Sequence, residues 1–245
     1  MKAFIFELGG FFLTLSRGLR ALVSKPFRLR LIFKEMEFIG VNSTFIIMLT
    51  GLFTGAVLAL QSGKAFRMLN AEGVTGAVTA LSLLRELGPV MTALMIAARC
   101  GSAIAAQIGT MRVTQQIDAL EVMAVDPMSY LVAPRIVSSL IMVPLLSVIF
   151  NIMGIIGSYL VGVVLLEINE ATFFDRIDAY ITTEDLWNGL VKAAVFGIII
   201  AVVGCRRGLI TTGGAEGVGK ATTQAVVISS VSILIADYFL TALMF

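Results

Sequence analysis

Two long runs without a charged residue constrain this chain more than any other feature of its sequence. Residues 38–63 and 136–166 contain no Asp, Glu, Lys or Arg. A helix of about 20 mostly apolar residues is long enough to cross the hydrocarbon core of a bilayer. The whole chain is 58% hydrophobic and 14% charged, whereas soluble domains are about 45–50% apolar and about 25% charged. The sequence therefore predicts an all-α polytopic membrane protein.

Three further segments bring the prediction to five transmembrane helices. Residues 186–205 are interrupted only by Lys192, and residues 221–245 only by Asp237. Residues 73–111 are also apolar, but a helix rises about 1.5 Å per residue and would be too long for one straight crossing. Gly88-Pro89 can kink this helix. We therefore expect a half-buried segment at about 74–84 that leads into a span at about 87–108.

The N-terminal segment, residues 1–37, has a different character. Its apolar residues recur at helical spacing up to residue 23, but Glu7, Arg17 and Arg20 interrupt them. A basic stretch follows, which comprises Lys25, Arg28, Arg30 and Lys34. This pattern predicts interfacial amphipathic helices that precede a transmembrane domain at 38–245. The alternative is a sixth span in this segment.

The distribution of Lys and Arg predicts the orientation of the chain. Basic residues are concentrated in the N-terminal segment and in the loops that follow the second and fourth spans, whereas the loop at 167–185 is acidic. Loops rich in Lys and Arg stay in the cytoplasm. We therefore expect a cytoplasmic N-terminus and, after five spans, a periplasmic C-terminus.

Several classes of function are disfavoured by composition. The chain has no histidine and only two cysteines, Cys100 and Cys205, so neither a metal site nor a Ser-His-Asp triad is predicted. The net charge of +2 is too small to indicate a nucleic-acid partner.

Residues 213–222, GGAEGVGKAT, nearly match an ATP-binding P-loop. Gly214 to Lys220 fits G-x-x-x-x-G-K, but Ala221 stands where a Ser or Thr hydroxyl would bind magnesium. A membrane span precedes the stretch, whereas a P-loop follows a β-strand. We predict a flexible cytoplasmic turn with Thr222 at the start of the last span, and no cofactor bound by this chain.

The segment at 109–127 lies between the second and third spans. Val113, Ile117 and Leu120 recur at helical spacing. Asp126-Pro127 is expected to end the helix, because the residue before a proline avoids the helical region. Such a helix either lies on the lipid surface or docks into a groove of a cytoplasmic partner.

The chain resembles a known family, the MlaE (YrbE) family of ABC-transporter permeases. The resemblance runs through LSLLRELGPVMTALMIAARCGSAIAAQIGTMRVTQQIDALEVMAVDP, VPLLSVIFNIMGIIGSYLVG, GGAEGVGKATTQAVV and DYFLTALMF. It extends from about residue 40 to the end of the chain. The chain departs from the family at Gln107 and Gln115, where members often carry Glu.

The resemblance implies a transport permease rather than an enzyme. Such permeases move phospholipids between the inner and outer membranes of Gram-negative bacteria. Two copies pair with a dimer of MlaF-like ATPases, which bind ATP and Mg, and with a periplasmic MlaD-like MCE hexamer. The alternative within this class is an MCE-linked importer of sterols or other hydrophobic molecules.

The resemblance also implies a coupling helix at about 112–127 that sits in a groove of the ATPase. Packing in the groove is expected from Ile117, Leu120 and Val122. The remaining expected contacts are Gln116, Asp118, Glu121, Asp126 and Pro127.

Four charged residues are predicted to lie in the outer half of the membrane. Arg85, Glu86, Lys192 and Asp237 are placed there by their distance from the span ends, and a layer with both signs suits a lipid headgroup. Interhelical ion pairs are the alternative. Arg99 lies deeper and is expected to be structural.

The resemblance places the positions of Arg85, Glu86 and Lys192 near the lipid pocket, which we expect to open to the periplasm between two copies of the chain. The lipid tail is expected to contact Leu58, Phe66, Leu69 and Leu87.

Two rival classes are disfavoured by the sequence. An ion-driven secondary transporter would show repeated halves, and five spans divide poorly into two. An intramembrane enzyme without histidine would need a Ser–Lys pair or paired carboxylates. Ser62 and Lys64 are two residues apart and do not share a helix face.

Overall fold

The computed structural model describes residues 2–23, 29–69 and 71–244. Within these residues the chain is helical and contains no β-strand. Its longer helices are α1 (Lys2–Val23), α2 (Leu29–Ile39), α3 (Thr44–Arg67), α4 (Glu72–Val113), α5 (Gln116–Val122), α6 (Met128–Leu165), α7 (Glu170–Tyr180), α8 (Thr183–Leu209) and α9 (Gly214–Met244).

The prediction of five spans is confirmed. In the described part of the chain, five helical segments are long and apolar enough to cross a membrane: Leu29–Arg67, Glu72–Val113, Met128–Leu165, Thr183–Leu209 and Gly214–Met244. They correspond to α2 with α3, then α4, α6, α8 and α9. The N-terminal helices α1 and α2 are present, and their place in the interface stays a prediction. Lys25 and Arg28 lie outside the described residues.

The first and third spans meet backbone to backbone. A Cβ atom added at Gly55 of α3 would lie only 1.8 Å from the carbonyl oxygen of Gly154 in α6, and one at Gly51 would lie 2.6 Å from the Phe150 carbonyl oxygen. Residues four apart share one helix face, so this face of α3 presents no side chains at the crossing. Small residues at such crossings let membrane helices pack closely.

Helix α8 lies inside the bundle and contacts α4, α6 and α9. Phe196 and Ile200 of α8 are fully buried, and they pack in one core with Phe150 of α6 and Ile96 of α4. A polar side chain on this helix is therefore surrounded by other spans rather than by lipid. Lys192 also belongs to α8, so the same applies to its side chain.

Helix α4 continues through Gly88-Pro89 but widens just before it. Residues Leu83–Leu87 form a π turn, in which the Gly88 amide donates to the Leu83 carbonyl five residues earlier. Pro89 has no N–H to continue the α-helical ladder. A π turn is the usual way to insert an extra residue into a helix, and such turns are frequent at functional sites.

Helix α5 is shorter than the predicted coupling helix at 112–127. Gln115 has φ 61° and Ala124 has φ 56°, and these left-handed residues bracket the helix at Gln116–Val122. Non-glycine residues rarely adopt this conformation. Val113 therefore belongs to α4, and the helix ends before Asp126-Pro127 is reached, so the predicted bounds were wrong.

The P-loop-like stretch is helical rather than a flexible turn. Helix α9 begins at Gly214, and the change of direction lies at Gly213 and Gly214, with φ 89° and 66°. Lys220 pairs with Glu216 one turn earlier at 2.6 Å. The Thr222 hydroxyl donates to the Gly219 carbonyl at 2.7 Å, inside the helix. The expectations of a turn and of Thr222 at the helix start were therefore wrong.

Candidate functional site

The side chain of Lys192 is fully buried, and its ammonium group is surrounded by polar partners. The distances from Nζ are 2.7 Å to Glu86 Oε2, 2.7 Å to Thr241 Oγ1 and 3.3 Å to Asp237 Oδ1. A buried charge is tolerated only when it is paired and hydrogen-bonded. These four residues, hereafter the ion cluster, join α4, α8 and α9.

The backbone of α4 supplies a further acceptor for Lys192. The Lys192 Nζ donates to the Arg85 carbonyl oxygen at 3.2 Å. In a regular helix that carbonyl would accept from the amide four residues later, which is Pro89 and has no N–H. Lys192 therefore supplies a hydrogen bond that the proline cannot make.

Gly189 determines how closely α8 approaches this part of α4. A Cβ atom at Gly189 would lie 2.2 Å from the carbonyl oxygen of Leu84, so the two backbones are in contact there. Lys192 is three residues later and lies on the same face of α8. The close approach therefore directs the Lys192 side chain at Glu86.

Helix α9 contributes two residues that are one turn apart. Asp237 and Thr241 lie on the same face, since residues i and i+4 are neighbours on a helix. The Thr241 hydroxyl donates to the Asp237 carbonyl at 2.8 Å, and it lies 3.3 and 3.4 Å from the two Glu86 carboxylate oxygens. Thr241 thus bridges the two carboxylate-bearing helices.

Arg85 lies beside the ion cluster but forms its ion pair elsewhere. Its Nε is 2.6 Å from Oδ1 of Asp185, whose side chain is 2% exposed. The other Asp185 oxygen accepts from the backbone and hydroxyl of Thr182, both at 2.9 Å. These contacts form the capping box at the start of α8. The predicted single layer thus holds for Glu86, Lys192 and Asp237, while Arg85 is tied to Asp185.

The exposed groups at this site carry opposite charges. The side chains of Glu86 and Arg85 are 36% and 35% exposed, whereas Lys192 is 0% exposed. Glu86 and Arg85 are also adjacent in sequence. An approaching molecule therefore meets one carboxylate and one guanidinium, and the ammonium lies behind them.

The predicted lipid-tail residues are spread over a wider area. Leu87 follows Glu86 in the π turn, and Leu58 packs against the same buried core. Phe66 is half-buried at the end of α3, and Leu69, just beyond it, is 73% exposed. Their contact with a lipid tail stays a prediction.

Arg99 contacts the break between α2 and α3. Its Nη1 donates to the Phe38 carbonyl at 3.0 Å and to the Ser43 hydroxyl at 2.6 Å. The guanidinium carbon lies 5.5 Å from the centre of the Phe38 ring, within the range of a cation–π interaction. These contacts hold α4 against the start of the first span and agree with the structural role expected for Arg99.

Helix α5 presents fewer apolar residues than the sequence suggested. Ile117 is only 3% exposed and packs against the chain's own spans, so little of its side chain is accessible, and its contact with a partner stays a prediction. Leu120 is half-buried on the same core. Val122 is 88% exposed, and Met123 next to it is 63% exposed. Val122 is therefore the member of the expected apolar set that a partner can reach.

The polar residues of this segment divide into two groups. Gln116 and Glu121 are exposed, and Asp118 is paired with Arg112 at 2.5 Å. The Asp126 carboxylate accepts from the backbone amides of two residues at the start of α6, and Pro127 precedes that helix. Asp126 therefore stabilises the start of the third span, because a carboxylate there satisfies amides that lack a helical partner.

The sequence is also similar to known proteins. The profile of the family described as "Permease MlaE" matches residues 32–243. The chain belongs to the MlaE permease family. It is thus a multi-pass membrane protein of the ABC-transporter permease class.

The relatives cover most of this chain. A "Probable ABC transporter permease protein" of Rickettsia conorii is 46% identical over 239 residues, which are 98% of this chain and 92% of the relative. The "Intermembrane phospholipid transport system permease protein MlaE" of Haemophilus influenzae is 41% identical over 92% of this chain and 88% of its own length. The chloroplastic "Protein TRIGALACTOSYLDIACYLGLYCEROL 1" of Arabidopsis thaliana is 38% identical over 86% of this chain and 61% of its own.

Two residues of the site were missed by sequence reasoning. Asp185 was counted with the acidic loop, although Thr182 and Asp185 fit the [ST]-x-x-[DE] pattern that marks a helix start. Thr241 is an uncharged residue in an apolar run, and the sequence carries no signal that singles it out.

Proposed function

We propose that this chain is the permease subunit of an ABC transporter that moves phospholipids between the inner membrane and a periplasmic MCE protein. Two copies form the permease, and partner ATPases bind and hydrolyse ATP. The N-terminus and α5 lie in the cytoplasm, and the ion cluster lies in the outer half of the inner membrane. The name of the Haemophilus relative supports the substrate class.

The observation that carries the proposal is that two partly exposed side chains of opposite charge, Glu86 of the ion cluster and the adjacent Arg85, lie side by side. A zwitterionic phospholipid headgroup has a phosphate and an amine a few atoms apart. Arg85 provides a cation for the phosphate, and Glu86 provides an anion for the amine. Both lie among apolar spans, where a charged residue that does not serve a partner or a cavity is costly.

Helix α4 connects this site to the proposed ATPase contact. Glu86 and Val113 lie on the same continuous helix, about 40 Å apart at 1.5 Å per residue. Helix α5 follows directly and exposes Glu121 and Val122. A rigid-body movement of α5 on ATP binding would therefore be transmitted along α4 to the lipid site.

Glu86→Gln tests the proposal. It keeps the shape of the side chain and removes the charge offered to the amine. The matched control is Glu72→Gln on the same helix, since Glu72 is also ion-paired, to Arg67 at 3.2 Å, and is 35% exposed. Transfer of labelled phosphatidylethanolamine from proteoliposomes to the MCE protein should slow roughly tenfold in Glu86→Gln, equivalent to about 1.4 kcal/mol, and stay unchanged in Glu72→Gln.

The same assay distinguishes a phospholipid substrate from a sterol substrate. A sterol has neither phosphate nor amine and does not require Glu86. Two results together would show that the substrate is a sterol and not a phospholipid. These are sterol transfer that is unaffected by Glu86→Gln and no phospholipid transfer by the unmodified chain. Co-purification of an ATPase is measured alongside, because a permease that lacks this partner would be a different class of transporter.

A further inference from the structure

A polar cavity lies towards the other end of α4, away from the ion cluster. Its volume is about 630 Å³, within the range of small-molecule sites of about 300–1,000 Å³. Residues from α2, α4, α5 and α6 line it, and Gln107 and Gln116 are among them. Gln107 is 21 positions after Glu86 on the same helix, about 32 Å away. The cavity is therefore separate from the ion cluster.

The floor of the cavity carries a buried cation, Arg135. Its side chain is 7% exposed and pairs with Glu35 of α2 at 3.1 Å. Nη1 donates to the Leu131 carbonyl at 2.8 Å, and Nη2 donates to Gln107 Oε1 at 3.1 Å. The buried Nε has no hydrogen-bond partner among the described residues. A buried donor without a partner calls for an explanation, such as an ordered water or a bound ligand.

The charges around the cavity give it a positive balance. Its lining holds two cations, Lys34 and Arg135, and one carboxylate, Glu35. Gln107 contributes an amide where a carboxylate would have cancelled the excess. Since its Oε1 accepts from Arg135, its NH₂ group faces away from the guanidinium as a donor. A single negative charge is what this set of groups neutralises.

Apolar side chains make up a further part of the wall. Leu31, Phe38, Met111 and Leu131 line the cavity together with the polar groups. Four of the lining residues, between positions 31 and 38, belong to α2, which leads into the first span. A freely soluble anion would leave these apolar side chains in contact with water, whereas a lipid would cover them with its acyl chains or glycerol backbone.

We propose that this cavity binds an anionic phospholipid from the leaflet on the α5 side, with its phosphodiester held by Arg135, Lys34 and the Gln107 amide. This leaflet is the cytoplasmic one under the proposed orientation. The lipid would contact Gln116, the first residue of α5, so that lipid occupancy is coupled to the position of the segment proposed to meet the ATPase. The site is distinct from the transport site at the ion cluster.

The test uses the full chain in detergent and native mass spectrometry. The probes are a short-chain phosphatidylglycerol, which has a net charge of one negative, the phosphatidylcholine of the same chain length, which has no net charge, and inorganic phosphate. The variant is Gln107→Glu, which cancels the positive excess without changing the size of the side chain. Its control is Gln115→Glu, which adds the same charge at an exposed position outside the cavity lining.

Phosphatidylglycerol should bind the unmodified chain at least tenfold more tightly than phosphatidylcholine. Gln107→Glu should weaken that binding roughly tenfold, equivalent to about 1.4 kcal/mol, and Gln115→Glu should leave it unchanged. Lys34→Ala at the exposed mouth gives a second variant that does not disturb the buried pair, and it should weaken binding in the same direction.

Three results would overturn the proposal. These are equal binding of the two lipids, equal effects of Gln107→Glu and Gln115→Glu, and inorganic phosphate that competes as well as the lipid. Binding at the ion cluster should respond to Glu86→Gln and not to Gln107→Glu. If the proposed transport function fails its test, the lipid-binding results at this cavity can therefore still be interpreted.

Discussion

Two buried cations at opposite ends of α4 have different surroundings. Lys192 is fully enclosed and has two carboxylates, a hydroxyl and a backbone carbonyl as partners. Arg135 borders a cavity and has one carboxylate, one amide and one carbonyl as partners, while its Nε has no hydrogen-bond partner in the described part of the chain. The first arrangement surrounds the cation with polar partners and joins three spans, although Oδ1 of Asp237 has only its 3.3 Å ion-pair contact and no hydrogen bond among the described residues. The second is incomplete and leaves room for a ligand.

The difference shows that a buried charge is not by itself a binding site. At the ion cluster the partly exposed groups are Glu86 and the neighbouring Arg85, while Lys192 lies behind them and joins the spans. At the other end the buried cation itself borders the cavity. Three substitutions compare the two arrangements, and each is measured as the free energy of unfolding in mixed micelles.

Lys192→Met should have the largest effect. It leaves Glu86 and Asp237 near each other without their cation, and breaking a buried ion pair costs about 3–5 kcal/mol. The control is Lys64→Met at an exposed position of α3. Adding Glu86→Gln and Asp237→Asn to Lys192→Met should recover most of the loss. If the triple variant is as unstable as Lys192→Met alone, the loss comes from packing and not from unpaired charge.

Arg135→Gln should have a smaller effect, about 2 kcal/mol, at the low end for loss of a buried pair. Only one carboxylate loses its cation, and the Glu35 side chain is 18% exposed beside the cavity. The double variant Arg135→Gln/Glu35→Gln should be close to the unmodified chain. A loss as large as that of Lys192→Met would contradict the view that the second arrangement is incomplete.

Thr241→Val should have the smallest effect, about 1 kcal/mol, since it removes one hydroxyl that hydrogen-bonds to charged groups. Thr222→Val on the same helix is the matched control, because the described contact of the Thr222 hydroxyl is with its own helix, at the Gly219 carbonyl. Equal losses in the two variants would show that Thr241 adds nothing to the ion cluster.

The sequence predicted the features of this fold that depend on residue types that are rare in the spans. Charges are rare in the spans, so the depth of Glu86, Lys192 and Asp237 along their helices was enough to place them together. The five spans followed from the apolar runs in the same way. Partners that are common in such sequences, such as Thr241 or a backbone carbonyl, could not be identified because nothing distinguishes them before the helices pack.

The failures arose where the helix repeat is interrupted. The left-handed Gln115 sets the direction of α5, and within this helix Ile117 and Val122 are five residues and therefore about 140° apart. Ile117 consequently faces the bundle and Val122 faces outward. The glycines at 213–219 suggested a loop, yet Gly214 begins a helix. Local backbone conformation decided both outcomes, and residue type indicates it only weakly.

The π turns of α4 have a consequence for how this helix tolerates changes in length. Each π turn accommodates about one extra residue, and α4 contains one at Leu83–Leu87 and another at Ala97–Gly101. Deleting a single residue from the first turn would restore the regular α-helical repeat there. The part of α4 before the turn would then rotate by about 100° relative to the part after it. This rotation would move the buried face of Thr75–Ser82 towards the lipid. In related chains, insertions and deletions should therefore be excluded from this turn even where substitutions are accepted.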